Sequence, residues 1–365
     1  MILAGVDLWV SWATERLTDW KKEIAPVSIS EQCICSYFST SEWLNKLVID
    51  TLELLRYFDK EAELDISKMQ AIFNELFDKI KVPTYDQLKL FLYFKNTLCY
   101  TDNSFVASKC VLSRIMNTPF DINQDKRKWI IFGNIYKDNL IHLLYQPDED
   151  NNMPSEQIAK QYELLKRYLF VKHPVRYHRN VIETFNEMFG TTMKIKIGQH
   201  LVYYTTELPG IVSDNKIETL DQLIASESVY CDIFEDGEYS EDLINYNPIW
   251  WSKAALLNAK QCIIASYDKN NDCIKNIYKF NIDKFEDKTK YENLWSPDAA
   301  WNFLKDFLQF VKDSVNSIPN KFRQNCFWKF QSFPNDEPFV SCEIFHLKIE
   351  NNEEIWKPID KNIFT

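Results

Sequence analysis

The sequence predicts a mixed α/β (α+β) protein in which central mixed β-sheets are covered by helices. Short apolar runs typical of strands alternate along the chain with longer amphipathic runs typical of helices. Hydrophobic residues make up 45% of the 365 residues and aromatic residues 15%, which is enough for a large core. No linker or low-complexity tract divides the chain, so we expect one domain over residues 1–365.

The N-terminal part of the chain carries helical periodicity. Apolar residues recur at helical spacing from Ser41 to Asn96, first around Trp43 and Leu47 and again over Met69–Ile80. Pro83 ends that second run. We therefore expect residues 1–100 to form a mainly helical N-terminal layer.

The middle of the chain predicts a hairpin, a helix and then a series of strands. Trp129–Phe132 and Leu140–Tyr145 flank a turn-like Lys137–Asn139, and a helix is expected from Ser155 to about Phe170. The later strand candidates are Met193–Ile197, Leu201–Thr205, Val229–Phe234, Cys262–Tyr267 and Ile274–Phe280. Two further helices are expected at Pro248–Ala259, which contains Trp250 and Trp251, and at Trp295–Val315.

The negative net charge of the chain limits how it could bind nucleic acid. The formal net charge is −11, so an RNA or DNA would need a local basic cleft on an acidic body. The stretch Lys172–Arg179 lies close in sequence to Lys166 and Arg167 and could supply such a cleft. A solvated basic face is the alternative for these residues, and the residues alone do not decide between them.

Other common functional classes lack their signatures. The nine cysteines are scattered without CxxC spacing, so neither a zinc site nor a disulfide framework is indicated. Pro174 and the spacing of His173 and His178 do not suit zinc ligation either. Met1–Val10 contains Asp7 and no basic region, so we expect no signal peptide. No uncharged run approaches the roughly 20 residues of a membrane helix.

Several segments in colinear order resemble the DXO-type decapping exoribonuclease family. Phe105–Lys109 resembles its first motif, and Asn117–Phe120 resembles the Thr-Pro-aromatic segment that follows. The double-tryptophan helix Trp250–Leu257 and the strands Cys262–Tyr267 and Ile274–Phe280 also follow the family order. The resemblance implies a decapping-nuclease-like fold. It also implies RNA 5′-end hydrolysis at carboxylate-held divalent metals, with a lysine to position water and an arginine to grip phosphate.

The residues that carry this chemistry in the family are mostly replaced at the matching positions. Lys109 stands for the arginine of the first motif, and Lys166 stands for a metal-binding glutamate. Glu207 is kept, but Pro209 replaces the second acid of its Glu-x-Asp motif. In the Glu-x-Lys strand motif Asp232 replaces the acid and Phe234 the lysine, and Lys253 replaces the glutamine after the paired tryptophans.

A lysine at a ligand position opposes metal binding directly. A unit-charge pair is worth roughly 4 kcal/mol at about 4 Å and an effective dielectric near 20, so attraction becomes repulsion of that size. We therefore expect no metal, no cofactor and no catalysis. The chain then resembles a degenerate, Cutoff-like member of the family from insects.

That resemblance implies RNA 5′-end binding through a local basic pocket, and nuclear protection of nascent transcripts such as piRNA precursors from end processing and termination. Protein partners at chromatin-bound small-RNA loci are expected, and no membrane. The residues expected to bind RNA are Lys109, Lys166, Arg167, Arg176, Arg179 and Lys253.

Two other functions stay open. The first is an active decapping or 5′-3′ exonuclease that uses Mg or Mn, with Glu163, or Glu235 and Glu238, as the true ligands. The second is a pure protein-interaction scaffold whose acidic surface and N-terminal layer recruit partners. A cytoplasmic location is the alternative to the nucleus.

Overall fold

The structure is a computed structural model that describes most of the chain. The described residues are 26–41, 46–49, 51–59, 104–120, 129–136, 140–146, 156–174, 187–235, 247–271, 273–283, 295–318, 323, 326–333, 339–350 and 353–358.

The described strands and helices alternate along the chain. The strands are β1 Ile29–Ser41, β2 Lys46–Ile49, β3 Tyr57–Phe58, β4 Phe105–Ser108, β5 Trp129–Tyr136, β6 Leu140–Gln146, β7 Phe170–Val171, β8 Glu187–Ile197, β9 His200–Glu207, β10 Gly210–Val212, β11 Glu227–Glu235, β12 Ala259–Asp268, β13 Cys273–Asn281, β14 Cys326–Phe333, β15 Phe339–Glu350 and β16 Glu353–Pro358. The helices are α1 Lys109–Asn117, α2 Glu156–Leu169, α3 Leu220–Ala225, α4 Pro248–Leu256 and α5 Pro297–Asn316.

The strands form two mixed sheets. Sheet 1 has the order β16-β15-β14-β5-β6-β4-β9-β8-β1-β2, and sheet 2 the order β13-β12-β11-β10-β3-β7. In sheet 1, β4 runs parallel to β6 and to β9. In sheet 2, β11 runs parallel to β12. Since β4 is central in sheet 1, the helix that follows it begins at the middle of the molecule.

Three helices pack between and across the sheets. Helix α1 contacts β4, β6 and β9 of sheet 1, while α4 contacts β11 and β12 of sheet 2, and the two helices contact each other. Helix α5 packs on α1 and β9. Its Phe307 also meets Trp129 of β5 and Phe330 of β14 edge to face. Trp251 of α4 is 1% exposed and packs against Trp295 and Trp301. The aromatic residues of the sequence therefore fill the interior around these helices.

The expected fold class is confirmed, and so are most of its elements. The hairpin is β5 and β6, paired with Ile131 opposite Tyr145. The helix expected from Ser155 is α2, and the two tryptophan-rich helices are α4 and α5. The five later strand candidates lie within β8, β9, β11, β12 and β13.

The helical interpretation at the N-terminus is wrong where the structure describes it. Lys46–Ile49 form β2, which pairs antiparallel with β1, so that Ile49 lies opposite Phe38. Partner strands override a weak local pattern, because hydrogen bonds and shared burial decide strand formation. Residues 60–100 lie outside the described residues, so the helical layer stays a prediction there. No helix in the described ranges is long and apolar enough to cross a membrane.

Candidate functional site

A pocket lies where the two sheets and three helices meet, and we call it the central pocket. Its volume is about 180 Å³, below the roughly 300–1,000 Å³ of typical small-molecule pockets. Its lining residues are Phe38, Ser108, Lys109, Cys110, Tyr162, Met188, Thr205, Thr206, Glu207, Tyr230, Asp232 and Lys253. They come from β1, β4, β8 and β9 of sheet 1, β11 of sheet 2, and helices α1, α2 and α4. The pocket therefore depends on the packing of both sheets.

Lys109 enters the pocket because β4 ends in a helix cap. The Ser108 hydroxyl accepts a hydrogen bond from the Val111 backbone N–H at 3.3 Å, which starts α1 at Lys109. The Lys109 ammonium lies 5.1 Å from the centre of the Tyr230 ring. Burial lowers the pKa of Lys109, and the nearby Lys253 charge lowers it further. A cation in the first turn also opposes the helix dipole, so this position is costly unless an anion arrives.

A buried polar network fixes α1 against α4. The hydroxyls of Ser113 and Ser252 are 2.7 Å apart, and the Asn117 amide donates to the Ser252 Oγ at 2.7 Å. The Tyr204 hydroxyl of sheet 1 donates to the Leu256 carbonyl at 2.6 Å, at the end of α4. These bonds hold Lys109 and Lys253 at a defined separation, because each lysine lies on one of the two helices.

Lys166 of α2 lies between two carboxylates. Its Nζ is 2.6 Å from Glu163 Oε1 and 2.5 Å from Glu207 Oε1. The same Nζ lies 4.5 Å from the centre of the Tyr162 ring. The Lys166 side chain is 11% exposed, Glu163 8% and Glu207 22%. Glu163 lies close to Lys166 because the two residues are three positions apart on α2. Glu207 comes close to Lys166 from another element, since it is the last residue of β9.

The contacts of Lys166 with Glu163 and Glu207 shift the pKa values of Lys166 and Glu163. Burial acts to lower the pKa of Lys166, but the carboxylates of Glu163 and Glu207 outweigh it and raise that pKa. Burial raises the pKa of Glu163, and the Lys166 ammonium offsets only part of that effect. Lys166 is therefore a permanent cation at physiological pH.

Asp232 and Lys253 form the second ion pair of the pocket. Lys253 Nζ lies 2.8 Å from Asp232 Oδ2, and the Tyr230 hydroxyl donates to the same oxygen. The Ile233 backbone N–H donates to the other oxygen at 2.9 Å. Burial acts to raise the pKa of Asp232, but the Lys253 charge and these hydrogen bonds outweigh it, so the pKa is lowered. The carboxylate is ionised and its acceptor positions are largely taken.

The charges of the site nearly balance, which differs from the expected cationic pocket. Lys166 pairs with Glu163 and Glu207, and Lys253 pairs with Asp232. Within the described residues, Lys109 forms no ion pair. Of the three lysines it is therefore the one best placed to receive an added anion.

Of the remaining predicted positions, Pro209, Phe234 and Arg167 are described, and none of them lines the pocket. Pro209 is buried between β9 and β10 and does not line the pocket. Phe234 is 5% exposed and packs on Trp250 with ring centres 5.2 Å apart. Arg167 is half-buried on α2 and is not a lining residue. Arg176 and Arg179 lie outside the described residues, so their role stays a prediction.

The carboxylates at the pocket do not fit a divalent metal. Oxygens of Glu163, Glu207 and Asp232 already contact ammonium groups at 2.5 to 2.8 Å, which is the space an ion would need. In the part of the chain that is described, no three His, Cys, Asp or Glu side chains group as metal ligands. Of the other proposed ligands, Glu235 pairs with Lys269 at 3.4 Å outside the pocket, and Glu238 lies outside the described residues.

The sequence patterns did not single out several lining residues. Tyr230 was detectable, because strand alternation puts it on the same face of β11 as Asp232. Tyr162 lies one turn before Lys166 on α2 and was detectable in the same way. Phe38 and Met188 had no local signal, since they reach the pocket only through the pairing of β1 with β8.

Solved structures share this arrangement of sheets and helices. Rai1 from S. pombe, in complex with 3′-FADP, matches with a TM-score of 0.63 at 14% identity, over 88% of this chain and 96% of that chain. The chain has the Rai1/Dxo1 fold. Candida albicans Rai1, in complex with pU5-Mn2+, matches with a TM-score of 0.63 at 14% identity, over 87% of this chain and 90% of that chain. K. lactis Dxo1, in complex with manganese, matches with a TM-score of 0.59 at 9% identity, over 94% and 95%.

The decapping-nuclease-like fold expected from the resemblance is thus confirmed. No family model matches the sequence, and no curated protein matches it. At such identities the likeness is one of fold, and the chemistry depends on this chain's own residues.

Proposed function

We propose that this chain is a non-catalytic relative of RNA 5′-end decapping exonucleases and binds RNA 5′ ends without cutting them. The observation that carries the proposal is the pairing of Glu207 with Lys166 and of Asp232 with Lys253, at 2.5 and 2.8 Å. An ion approaching these carboxylates meets two ammonium groups, and the repulsion removes its binding energy. Without the ion, the pocket lacks the charge that stabilises a phosphoryl-transfer transition state.

The residues that remain suit a phosphate. Lys109 lines the pocket without an ion-pair partner among the described residues, and it begins α1, whose first turn carries partial positive charge. Tyr162 and Tyr230 also line the pocket, next to the ammonium groups of Lys166 and Lys109. Candida albicans Rai1, which has the same fold, forms a complex with pU5-Mn2+, and this supports an RNA end as the ligand class.

The first test compares RNA with and without a 5′-phosphate. Fluorescence anisotropy at about 0.15 M salt would measure the Kd of the full chain for 5′-monophosphorylated and 5′-hydroxyl oligouridine. We expect Lys109→Gln to weaken binding of the phosphorylated RNA about tenfold, since one charge-assisted hydrogen bond is worth about 1.5–3 kcal/mol. Binding of the hydroxyl RNA should change much less.

Lys269→Gln is the matched control, because Lys269 is 69% exposed and lies outside the central pocket. It should leave both Kd values unchanged. Equal affinity for the two RNAs, together with no effect of Lys109→Gln, would contradict 5′-end binding and favour the scaffold. Release of nucleotides or caps that requires Mg²⁺ or Mn²⁺ and is removed by Glu207→Ala would instead establish an enzyme.

The cellular role follows from the Cutoff-like resemblance. On this proposal the chain is nuclear, binds protein partners at small-RNA loci, and protects nascent piRNA precursors from end processing and termination. Imaging of the tagged chain, combined with sequencing of its crosslinked RNA, tests this role. Nuclear signal with enrichment of unprocessed precursors is expected. A cytoplasmic chain without such RNA would contradict it.

A further inference from the structure

We propose that the Lys166 ammonium acts as a built-in replacement for a divalent cation, and that it alone keeps Glu163 and Glu207 from forming a hard-cation site. The inference rests on the proposed function only for the absence of metal chemistry. It concerns what holds the pocket together, whereas RNA binding concerns what enters it.

The geometry around Nζ is that of an ion between carboxylates. Glu163 Oε1 and Glu207 Oε1 lie 2.6 and 2.5 Å from the same nitrogen. Calcium–oxygen bonds span roughly 2.3–2.6 Å, so the nitrogen stands where a calcium-sized ion would stand between the two oxygens. The two acids come from α2 and from β9, so the cation joins a helix to sheet 1.

Burial makes this cation necessary. Glu163 and Glu207 are 8% and 22% exposed, and two such carboxylates near each other repel when nothing positive separates them. Burial and the neighbouring Glu207 charge both raise the pKa of Glu163, while Lys166 lowers it. Removing the ammonium therefore leaves the buried Glu163 and the half-buried Glu207 side by side, and their charge must be met by protons or by an ion.

A third acid, Asp232, lines the central pocket together with Glu207. It differs from the other two, because its own partners are Lys253 and the Tyr230 hydroxyl. A hard divalent cation such as Mn²⁺ or Ca²⁺ in place of Nζ would thus have the carboxylates of Glu163 and Glu207 as its ligands, while Asp232 stays paired with Lys253.

The experiment removes the ammonium and offers Mn²⁺ in its place. Lys166→Met keeps an apolar side chain of similar length without the charge, and Lys166→Glu adds a carboxylate instead. After chelation and buffer exchange, we expect the Tm of Lys166→Met to fall by about 5 °C or more. Addition of 1 mM MnCl₂ should restore at least half of that loss, because a cation that binds only the folded state stabilises it.

Free Mn²⁺, counted by electron paramagnetic resonance, should fall in the presence of Lys166→Met and Lys166→Glu but not of the wild type. Lys253→Met is the matched control, because Lys253 pairs with a single carboxylate, Asp232. It should gain no Mn²⁺ response. The double variant Lys166→Met with Glu163→Gln should lose the Mn²⁺ response while keeping a higher Tm than Lys166→Met in chelator.

Three outcomes would overturn the inference. The wild type could bind Mn²⁺ as tightly as the variants, Lys166→Met could fold normally without any response to Mn²⁺, or Lys166→Met could stay unfolded even with Mn²⁺ present. None of these outcomes bears on RNA affinity, which the Lys109→Gln measurement reads separately. The two proposals can therefore fail independently.

Discussion

Gly190 has no side chain, and this leaves room for the Phe38 ring that lines the central pocket. A Cβ built on Gly190 would lie 2.2 Å from the Phe38 ring, far inside van der Waals contact. Gly190 is on β8 and pairs with Phe38 of β1 in sheet 1, and the Phe38 ring lines the pocket. The absence of a side chain at Gly190 thus lets an aromatic wall form beside Glu207, which pairs with Gly190 from β9.

Gly190→Ala is expected to destabilise the folded chain by about 1–3 kcal/mol, because the Phe38 ring must leave its position in a close-packed region. Urea unfolding measures the change. Gly133→Ala is the milder comparison, since its Cβ would meet the Phe330 ring at 3.1 Å. Equal stability of wild type and Gly190→Ala would show that Phe38 moves without cost.

Lys109, Glu207, Asp232 and Lys253, which the resemblance marked as site positions, all line the central pocket. Their partners were not predictable, because the contacts of Lys166 with Glu207 and of Lys253 with Asp232 join distant segments. The sequence placed lysines at these positions, but pairing turned an expected cationic site into a nearly balanced one.

At the scale of elements, the contact between α1 and α4 positions Lys109 and Lys253 in the central pocket. Ser252 is fully buried, and its hydroxyl meets both Ser113 and Asn117 at 2.7 Å. Because these groups have no access to water, each depends on the others for its hydrogen bonds. The relative position of Lys109 and Lys253 therefore depends on three uncharged side chains.

Ser252→Ala is expected to cost about 1–3 kcal/mol of unfolding free energy, since it leaves the Asn117 amide and Ser113 hydroxyl short of a partner. Chemical denaturation monitored by tryptophan fluorescence measures the loss. Ser317→Ala is the control, because the Ser317 hydroxyl is exposed and donates a hydrogen bond to the Ser314 carbonyl at 2.7 Å. A loss no larger than that of Ser317→Ala would contradict a structural role for the network.

Elements were predictable where their pattern was strong and local. Helix α5 has caps and a long apolar stripe, with Ser296 as its N-cap and Pro297 in its first turn. Strands β1 and β2 were not predicted. The apolar spacing of β2 also fits a helix, and its pairing with β1, which itself pairs with β8, decides the matter. The two short strands β3 and β7 depend on tertiary contacts in the same way, since each has two residues.

At the scale of the whole molecule, two buried histidines tie folding to pH. Burial lowers the pKa of His142 to about 3. Burial, together with the charges of Lys312 and Lys305, lowers that of His200 to about 4. Both imidazoles are neutral when folded, whereas the unfolded chain protonates them near pH 6.5. The stability they provide is complete above about pH 6.5 and is lost as pH falls toward 4 and then 3.

Unfolding free energy is therefore expected to fall by about 2 kcal/mol per histidine between pH 7 and pH 5. Urea unfolding at the two pH values measures the slope. His200→Gln should reduce the slope by about half, whereas His173→Gln, at an exposed position, should leave it unchanged. A slope that His200→Gln does not alter would mean that other groups control acid sensitivity.

The sequence by itself determined the fold class and the order of the later elements. Those properties depend on local spacing, capping and side-chain type, which a linear pattern carries. Tertiary structure alone decided that β2 is a strand, that Phe38 lines the central pocket and that Lys166 lies between Glu163 and Glu207. The reason is physical: burial and ion pairing act between groups that only folding brings together.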